Sequence, residues 1–465
     1  MNVKRILLTA AAIAAAAAGP ARAQSLQTPG SAGNPFLGSV PQGEATSAPI
    51  ALSLKEAVTR ALQHNLGLLL QEEAVHTAHG ARWRALADLL PNISAAVGGS
   101  RQVINLEAYG FPTPDPIVGP FNVFDARVYV SQPLIDFRAL NDSKAAAAKE
   151  RAETHGIRTA RDLVTLVAVN LYLQTVAASS RVEAARAQQD TAEALQRQAA
   201  DLKSAGLVAG IDVLRAQVQV QNQRQRFIVA ENDFERSKLE LARAIGLPVS
   251  QPLTLTDRIP YAPMPDVDLD TALTRAFEQR TDYLAAQERV KAAEAESAAA
   301  GASLLPSLRA DGDYGTIGQS AGNAHPTYRI AANVRIPIFE AGKATARRAE
   351  ANAELARRQA ELADFRGRVE FEVRSAVLDL RAAGQRLEAA QTNQALASQE
   401  LEQARDRFAA GVASNIEITQ AQDAVASASE NYIAALYAHN LAKAMLARAV
   451  GTAEESVMTF LGGSK

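Results

Sequence analysis

The feature of this 465-residue chain that most constrains its fold is an internal repeat. Leu89-Leu90-Pro91 recurs 215 residues later as Leu304-Leu305-Pro306. Ala242-Arg243-Ala244-Ile245-Gly246 recurs 205 residues later as Ala447-Arg448-Ala449-Val450-Gly451. Further matches keep the same order along both halves, which indicates that one structural unit is written twice in the chain.

The repeat sets the predicted domain organisation. We expect a first repeat over residues 51–247 and a second over 268–451, joined by a Pro-rich linker over 248–267. Residues 24–50 are rich in Gly, Pro, Ser and Gln, and we expect them to form a flexible N-terminal segment. A C-terminal tail over residues 452–465 completes the chain.

The N-terminus is typical of a secretory signal peptide. Lys4 and Arg5 precede an apolar run, and Ala21-Arg22-Ala23 has the small-x-small form that signal peptidase cleaves. We therefore expect residues 1–23 to be removed on export. A retained anchor is the alternative, although the apolar run of about 13 residues is short for a bilayer. Because no later segment approaches 18 apolar residues, we expect no spanning helix in the exported chain.

Each repeat predicts very long helices. The expected helices span residues 53–90, 141–204 and 211–245 in the first repeat and 343–409 and 416–450 in the second. A helix of about 65 residues is about 100 Å long, and it needs support from other helices along its length. Separate apolar stripes, such as those through Val164 and Val169, require a neighbour on each side. The pattern fits a ring of helices, and it also fits an antiparallel coiled-coil hairpin.

Four short segments alternate between apolar and polar residues: 93–103, 124–131, 308–314 and 328–336. Each is about 10 residues long, which is the length of a strand in an outer-membrane barrel. Strands in a bilayer must close into a barrel, and four strands are too few to close. The barrel would therefore be shared between chains. Two small hairpins packed on the helices of a soluble protein are the alternative.

Composition and motifs argue against several other functions. The chain has no cysteine, so it can form neither a disulfide nor an acylated N-terminal cysteine. Its formal net charge of −2 argues against a nucleic-acid partner. A phosphate-binding glycine loop and a nucleophile elbow are also missing, so we expect no enzyme, no catalytic residue and no cofactor. Glu72, Glu73, His76 and His79 could hold a metal on one helix face, but a solvated helix face explains the same pattern.

Several motifs resemble those of the TolC-like outer-membrane factors, the outer membrane efflux proteins. They are Pro-Leu-Ile-Asp-Phe at 133–137, Pro-Ile-Phe-Glu-Ala-Gly at 337–342, and Ala205-Gly206-Leu207-Val208 followed by Asp212-Val213-Leu214. Together with the repeat, the resemblance covers about residues 51–451. It implies a mainly α fold with a membrane β-barrel. Long antiparallel helices would form a periplasmic α-barrel, and four transmembrane strands per chain would join a twelve-stranded barrel in a homotrimer.

The function that the resemblance implies is that of an export channel. Such a protein is the outer-membrane component of a tripartite efflux or type I secretion system, and it passively conducts substrates from the pump to the exterior. Its partners would be a periplasmic adaptor, an inner-membrane pump and outer-membrane lipid. The missing cysteine points to the non-lipidated branch, and we expect small-molecule cargo. A soluble periplasmic coiled-coil adaptor or scaffold protein is the alternative function.

The resemblance also implies a functional site at the helix tips. The residues expected to dock the adaptor are Ala205, Gly206, Leu207, Val208, Ala410, Gly411 and Val412. Asp212 and Glu417 fall six residues after each glycine, where they would line the periplasmic entrance as rings of carboxylates. Gln420 stands at a second entrance position that is acidic in some relatives. Stabilisation of a helix N-terminus by its first-turn acid is the alternative role of Asp212 and Glu417.

Overall fold

Helices dominate the part of the chain that the computed structural model describes, which comprises residues 34–206, 208–257, 267–340, 342–410, 412 and 415–460. The helices are α1 (Leu54–His64), α2 (Leu66–Ala87), α3 (Phe137–Ser204), α4 (Gly210–Ala244), α5 (Leu269–Gln279), α6 (Thr281–Ala302), α7 (Lys343–Ala409), α8 (Asn415–Val450) and α9 (Ala453–Phe460). The strands are β1 (Ile50–Leu52), β2 (Asn92–Asn105), β3 (Ile117–Ile135), β4 (Leu253–Leu255), β5 (Ser307–Gly318) and β6 (Ala324–Arg335).

The two halves contain matching elements. α1 and α5 have 11 residues each, and α2 and α6 have 22 residues each. α3 and α7 have 68 and 67 residues, and the bounds predicted for α7 are confirmed. α3 begins at Phe137 rather than at 141 because the Asp136 carboxylate accepts a hydrogen bond from the Ala139 N–H at 2.9 Å and caps the helix.

The prediction of a single helix over residues 53–90 was wrong, because Asn65 divides this segment into α1 and α2. Asn65 has extended backbone angles, and its side-chain oxygen accepts hydrogen bonds from the N–H groups of Gly67 and Leu68. Its amide nitrogen donates to the Phe36 carbonyl at 2.7 Å. A buried asparagine thus serves as the N-cap of a new helix. Arg280 holds the equivalent position between α5 and α6.

From Pro35 onward the N-terminal segment contacts the helices, and the expected flexibility of residues 24–50 stays a prediction. The Phe36 ring lies so close to α2 that a β-carbon at Gly67 would be 2.5 Å from Phe36 Cδ1. The Val40 N–H donates to the His64 carbonyl at 2.9 Å. These contacts hold the segment because its apolar residues pack on the helices and its backbone finds partners there. The part before residue 34 lies outside the described residues.

The linker also takes part in the fold, since β1 and β4 pair as two parallel strands. Asp257 follows β4, and its Oδ2 accepts hydrogen bonds from the Leu54 N–H at 2.8 Å and from the Tyr172 hydroxyl at 2.9 Å. Burial, and then the Asp257 carboxylate, raise the pKa of Tyr172. One carboxylate therefore joins the linker to the start of α1 and to the middle of α3. Residues 258–266 of the linker lie outside the described residues.

The long helices pack side by side in a row. α3 packs on α2 and α4 along one side and on α6 and α8 along the other, while α7 packs on α6 and α8. The main apolar core surrounds Tyr172, and a second core surrounds Val373 of α7. α3 thus has neighbours on both sides, as its two apolar stripes predict.

By length and composition, α3 is apolar enough to cross a membrane, and it is the one such helix among the described residues. The relevant window has a mean hydropathy of 1.5, and 56% of it is buried inside the protein. The expectation that the exported chain has no spanning helix stays a prediction, since a buried core helix passes the same test. Val164, Val169 and Tyr172 are buried against other helices of the chain, which accounts for the apolar run as part of the core.

The four alternating segments form one antiparallel sheet in the order β2-β3-β5-β6. Its register aligns the apolar residues of neighbouring strands, because Val130 pairs with Ile93 and Tyr314 pairs with both Val128 and Tyr328. These side chains therefore share one face, and Asp125, Arg127 and Asp313 share the other. The apolar face is exposed, with Ile330 84% exposed. β2 and β6 are the two edges of the sheet.

Candidate functional site

The first candidate site is the turn between α3 and α4. α3 ends where the Ala205 N–H donates to the carbonyls of Asp201 and Lys203. Gly206 then has φ 75°, a left-handed conformation that glycine adopts without a steric penalty. Ala205 and Gly206 are exposed, whereas Val208 is half-buried. Leu207, which we also expected at this tip, lies outside the described residues.

α7 ends in the same way as α3. The Ala410 N–H donates to the carbonyls of Asp406 and Phe408, and the Val412 N–H donates to the Arg407 carbonyl at 3.0 Å. The side chain of Val412 is largely exposed. Gly411 lies outside the described residues. Ala205 and Ala410, which occupy equivalent positions of the repeat, are both exposed.

An apolar cluster holds the two hairpins together just behind their tips. Leu195 of α3 packs with Phe408 of α7 and Ile418 of α8, and Val208 packs against the same cluster. Because the cluster joins three helices from both repeats, the two tips form one connected unit within the chain.

The predicted entrance acids each have an arginine close by. Asp212 lies in the first turn of α4, and Arg215 Nη1 is 3.4 Å from its Oδ1. Glu417 lies in the first turn of α8, and Arg407 Nη2 is 3.6 Å from its Oε2. Both acids therefore complement a helix dipole and an arginine. Gln420, the third predicted entrance residue, is exposed on α8.

Further ion pairs, which the sequence did not reveal, join the hairpins above the tips. Arg181 Nε of α3 donates to both carboxylate oxygens of Glu430 on α8, at 2.8 and 3.0 Å. Arg226 Nη1 of α4 lies 3.4 Å from Asp423 Oδ1 on α8. An open groove of about 870 Å³ lies between these three helices, and Arg181, Arg226 and Glu430 are among its lining residues. The partners are distant in the chain, and no local pattern connects them.

The polar face of the sheet carries a second network that sequence reasoning missed. Arg127 Nε donates to Asp125 Oδ1 at 2.8 Å, and its Nη1 donates to Asp313 Oδ1 at 3.1 Å. Asp311 accepts hydrogen bonds from Ser131 and Asn333, each at 2.7 Å. The bonds to Asp313 and Asp311 run across neighbouring strands, so they help to fix the register of the sheet. The polar residues that alternate with the apolar ones along these strands are the sequence feature from which the network could have been predicted.

Among the suggested metal ligands of α2, His79 has other partners. The described residues contain no group of three or more His, Cys, Asp or Glu side chains arranged to hold a metal. His79 Nδ1 lies 2.6 Å from Glu150 Oε1, and its Nε2 accepts a hydrogen bond from Trp83 Nε1 at 2.9 Å. The bonds from His79 and then Arg82 hold the pKa of the Glu150 carboxyl below its ordinary value. His76 and Glu73 are exposed.

Comparison with known families decides what kind of protein this is. The family model described as outer membrane efflux protein matches residues 57–247 and 272–452. The chain belongs to the outer membrane efflux protein family. It is therefore an efflux channel protein of the outer membrane and not a soluble adaptor, and its family consists of transporters rather than enzymes.

Named relatives agree with this assignment. The chain is 26% identical over 450 residues to the outer membrane protein TolC of Vibrio cholerae, covering 93% of this chain and 98% of TolC. It is 28% identical over 323 residues to the pyoverdine export outer membrane protein OpmQ of Pseudomonas aeruginosa, covering 68% of this chain and 67% of OpmQ. The similarity to TolC thus extends over nearly the whole of both chains.

Solved structures show the same fold. The Campylobacter jejuni CmeC outer membrane channel superposes with a TM-score of 0.77 at 17% identity, covering 94% of this chain and 97% of CmeC. The Neisseria gonorrhoeae MtrE outer membrane channel superposes with a TM-score of 0.74 at 19% identity, covering 89% of this chain and 95% of MtrE. The mainly helical fold is therefore that of the TolC-like channels.

Proposed function

We propose that three copies of this chain form one continuous channel across the outer membrane and the periplasm. The observation that carries the proposal is the four-stranded sheet, whose edge strands β2 and β6 find no partner strand among the described residues. Strands in a bilayer must close into a barrel, and four strands cannot close alone. Pairing β6 of each copy with β2 of the next would give a twelve-stranded barrel.

The two faces of the sheet support this arrangement. The apolar face, with Val97, Tyr328 and Ile330 exposed, suits lipid, and the face with Arg127 and Asp313 suits a water-filled lumen. A single chain in water would leave the apolar face hydrated, which is costly for a surface of this kind. Placing the same face in lipid removes that cost.

The tips would meet the rest of the export system. We infer that Ala205, Gly206, Leu207, Val208, Ala410, Gly411 and Val412 dock a periplasmic adaptor, which links the channel to an inner-membrane pump. Asp212 and Glu417 would then each occur three times around the entrance and favour cations. Their arginine neighbours at 3.4 and 3.6 Å reduce that preference. Substrates would pass without any chemical step.

Processing and cargo complete the proposal. Residues 1–23 would be removed as a signal peptide, and the remaining chain would not be lipidated. The chain would contain repeats over 51–247 and 268–451, and the two segments matched by the family model support these repeats. We propose small-molecule export. The names of two relatives, both pyoverdine export outer membrane proteins, support export of this kind rather than protein secretion.

Membrane fractionation followed by mass determination in detergent tests the assembly. A trimer in the outer-membrane fraction is the expected result. A monomer extracted from that fraction would contradict the shared barrel. Deletion of the gene tests the cargo, because an unchanged sensitivity to every toxic compound combined with loss of a secreted protein would contradict small-molecule export.

A further inference from the structure

Arg309 and Arg335, on the polar face of the sheet, have no acidic partner among the described residues. Arg127 of the same face donates to Asp125 and Asp313, and its side chain is 21% exposed. Arg309 of β5 and Arg335 of β6 are exposed instead, and neither forms a hydrogen bond or an ion pair with another described residue. Their guanidinium donors are therefore available to a ligand from outside the chain.

The strand register places both arginines on one face and close together. Arg309 pairs with Asn333, and Arg335 follows two residues later on β6, where it pairs with Ser307. The Asn333 amide donates to Asp311 of the polar face at 2.7 Å, so residues in step with Asn333 share this face. On neighbouring strands, a residue and the one two positions beyond its partner are about 7–8 Å apart. Two guanidinium groups at this spacing can contact one small anion together.

The charge around the two arginines is not balanced by acids of the sheet. Asp311, the acid nearest to them along β5, accepts hydrogen bonds from Ser131 and Asn333, each at 2.7 Å. Beyond Asp311, toward the end of the sheet that is joined to the helices, the described strands carry no further acid on this face. Two positive charges at short range repel each other, and an anion bound between them removes that cost.

The internal repeat shows that strand pairing does not require these arginines. Arg309 is equivalent to Ser94, because each stands three residues after a copy of Leu-Leu-Pro. Arg335 is equivalent to Ser131, because each stands two residues before a proline. The serines keep the same relation in the β2–β3 hairpin, since the partner of Ser131 lies two residues before Ser94. The same two places in the sheet therefore accept a pair of small neutral side chains, so the arginines are not needed for the fold.

The chemistry of the guanidinium group indicates the class of ligand. Its planar fork of N–H donors matches the two oxygens of a carboxylate or a phosphate, and it stays charged at any physiological pH. A pair of such groups favours an anion with more than one negative charge. A sheet end joined to helices is also where the proposed barrel would open into the proposed helical tube.

We propose that Arg309 and Arg335 bind small anions with carboxylate or phosphate groups in the lumen of the channel, where the barrel meets the helices. The inference rests on the proposed trimer and adds a chemical class of cargo to it. Three copies would place six guanidinium groups around this level of the lumen, as three pairs separated by serines. The entrance acids would not exclude such cargo, since each has an arginine at 3.4 or 3.6 Å.

Ion selectivity in a planar bilayer tests the site. A charge about 7 Å from an ion in water changes the local concentration of that ion about threefold before screening. We therefore expect Arg309→Ser/Arg335→Ser to lower the ratio of chloride to potassium permeability by about twofold or more at an ionic strength of about 0.1 M. At about 1 M the Debye length is about 3 Å, and the difference should nearly vanish.

Inorganic pyrophosphate is the probe for binding in the same bilayer. It should reduce the current through the wild-type channel, because its phosphate groups can contact both arginines of a pair. The double serine variant should keep most of its current at the same pyrophosphate concentration. A wild-type current that pyrophosphate does not reduce would overturn the anion site.

Arg101→Ser is the matched control. Arg101 is exposed on β2 and in step with Ile93 and Val97 of the apolar face, so its loss should change neither the permeability ratio nor the block by pyrophosphate. Ser94→Arg is the opposite change, because it adds a guanidinium at the equivalent place of the first repeat. It should raise the ratio of chloride to potassium permeability, and it tests the site if the double serine variant does not reach the membrane.

The outcomes separate this site from the assembly that contains it. Conducting trimers whose permeability ratio is the same in the wild type, the double serine variant and Ser94→Arg would overturn the anion site and leave the proposed trimer intact. Monomers by mass that do not conduct would contradict the trimer itself.

Discussion

The hydroxyl of Tyr172 offers a test of how the linker is held to the long helix α3. Tyr172 is 1% exposed, and its hydroxyl donates to Asp257 Oδ2 at 2.9 Å, with the Leu52 carbonyl at 3.1 Å. Replacing Tyr172 by Phe removes this hydroxyl and keeps the ring. Leu52 and Asp257 retain bonds to Thr256, so neither acceptor is left without a donor.

The expected cost follows from the charge of the acceptor. A hydrogen bond to a charged group contributes about 1.5–3 kcal/mol to stability, against about 1 kcal/mol for a neutral pair. Because both acceptors keep other donors, we expect Tyr172→Phe to lower the free energy of unfolding by about 2 kcal/mol at pH 7. The ring volume is unchanged, so a cavity adds nothing to this figure.

Alkaline pH should remove the advantage of the tyrosine. The folded-state pKa of Tyr172 is raised above its ordinary value by burial and by Asp257. The tyrosine therefore stabilises the folded protein fully at pH values below the pKa of tyrosine in the unfolded chain, near 10. This stabilisation is lost as the pH rises above that value. The loss is about 1.4 kcal/mol per pH unit, so the wild type and the Phe variant should become equally stable near pH ~11.5.

Urea unfolding of the protein in detergent, followed by far-ultraviolet circular dichroism, measures both effects as a difference between the two proteins. Tyr437→Phe is the matched control, because the Tyr437 hydroxyl bonds the neutral Asn170 side chain at 2.7 Å and should cost about 1 kcal/mol. A Tyr172→Phe variant as stable as the wild type at pH 7 would refute the reasoning. So would a difference that stays constant from pH 7 to 11.5.

Three further predictions concern the two repeat joints and the entrance. Asn65→Ala should lower the free energy of unfolding by about 1–2 kcal/mol, measured in the same way, because α2 loses its cap; unchanged stability would contradict the capping role. Arg280→Met should lower the free energy of unfolding by about 3 kcal/mol, because the carboxylates of Asp282 and Glu372 lose the guanidinium that lies 2.7 and 2.6 Å from them. Arg280→Lys keeps a positive charge and should recover part of that loss. Asp212→Asn combined with Glu417→Gln should lower the cation preference of the channel in a planar bilayer, and an unchanged reversal potential in a salt gradient would place both acids outside the conduction path.

The helical framework could be predicted because local signals define it. The bounds of α7 follow from the end of an alternating segment at one side and an alanine-glycine turn at the other. The division at Asn65 was missed although the hydrogen bonds of its cap are local, with the Gly67 and Leu68 N–H groups as donors. Only the bond from Asn65 to the Phe36 carbonyl, 29 residues away in the chain, is long-range.

The strands were found at the right places but predicted too short. β3 has 19 residues, from Ile117 to Ile135, whereas the alternation marks only 124–131. Gly119 and Pro120 resemble loop residues in isolation. They lie at an irregularity of the pairing, and Val118 and Phe121 on either side of them pair with Ile104 and Gln102 of β2. Sheet pairing, which is a long-range property, therefore decides where the strands end.

The site was predictable only where the repeat reveals it. Gly206 was identified as a turn because the sequence around it recurs at the next tip, and its positive φ agrees with that interpretation. The Arg181–Glu430 ion pair spans 249 residues, and only the packing of α3 beside α8 brings it together. Contacts of this kind depend on the order of the helices, which no local pattern specifies.

The open edges of the sheet have a consequence for the life of the chain before assembly. β2 and β6 each present backbone donors and acceptors along more than ten residues, next to an apolar face. In the aqueous compartment that a newly exported chain must cross, such edges are templates for pairing with any other extended polypeptide. The isolated chain should therefore be a short-lived and aggregation-prone species. Delivery to the membrane would have to keep the edges covered, and three chains would have to arrive close together in time.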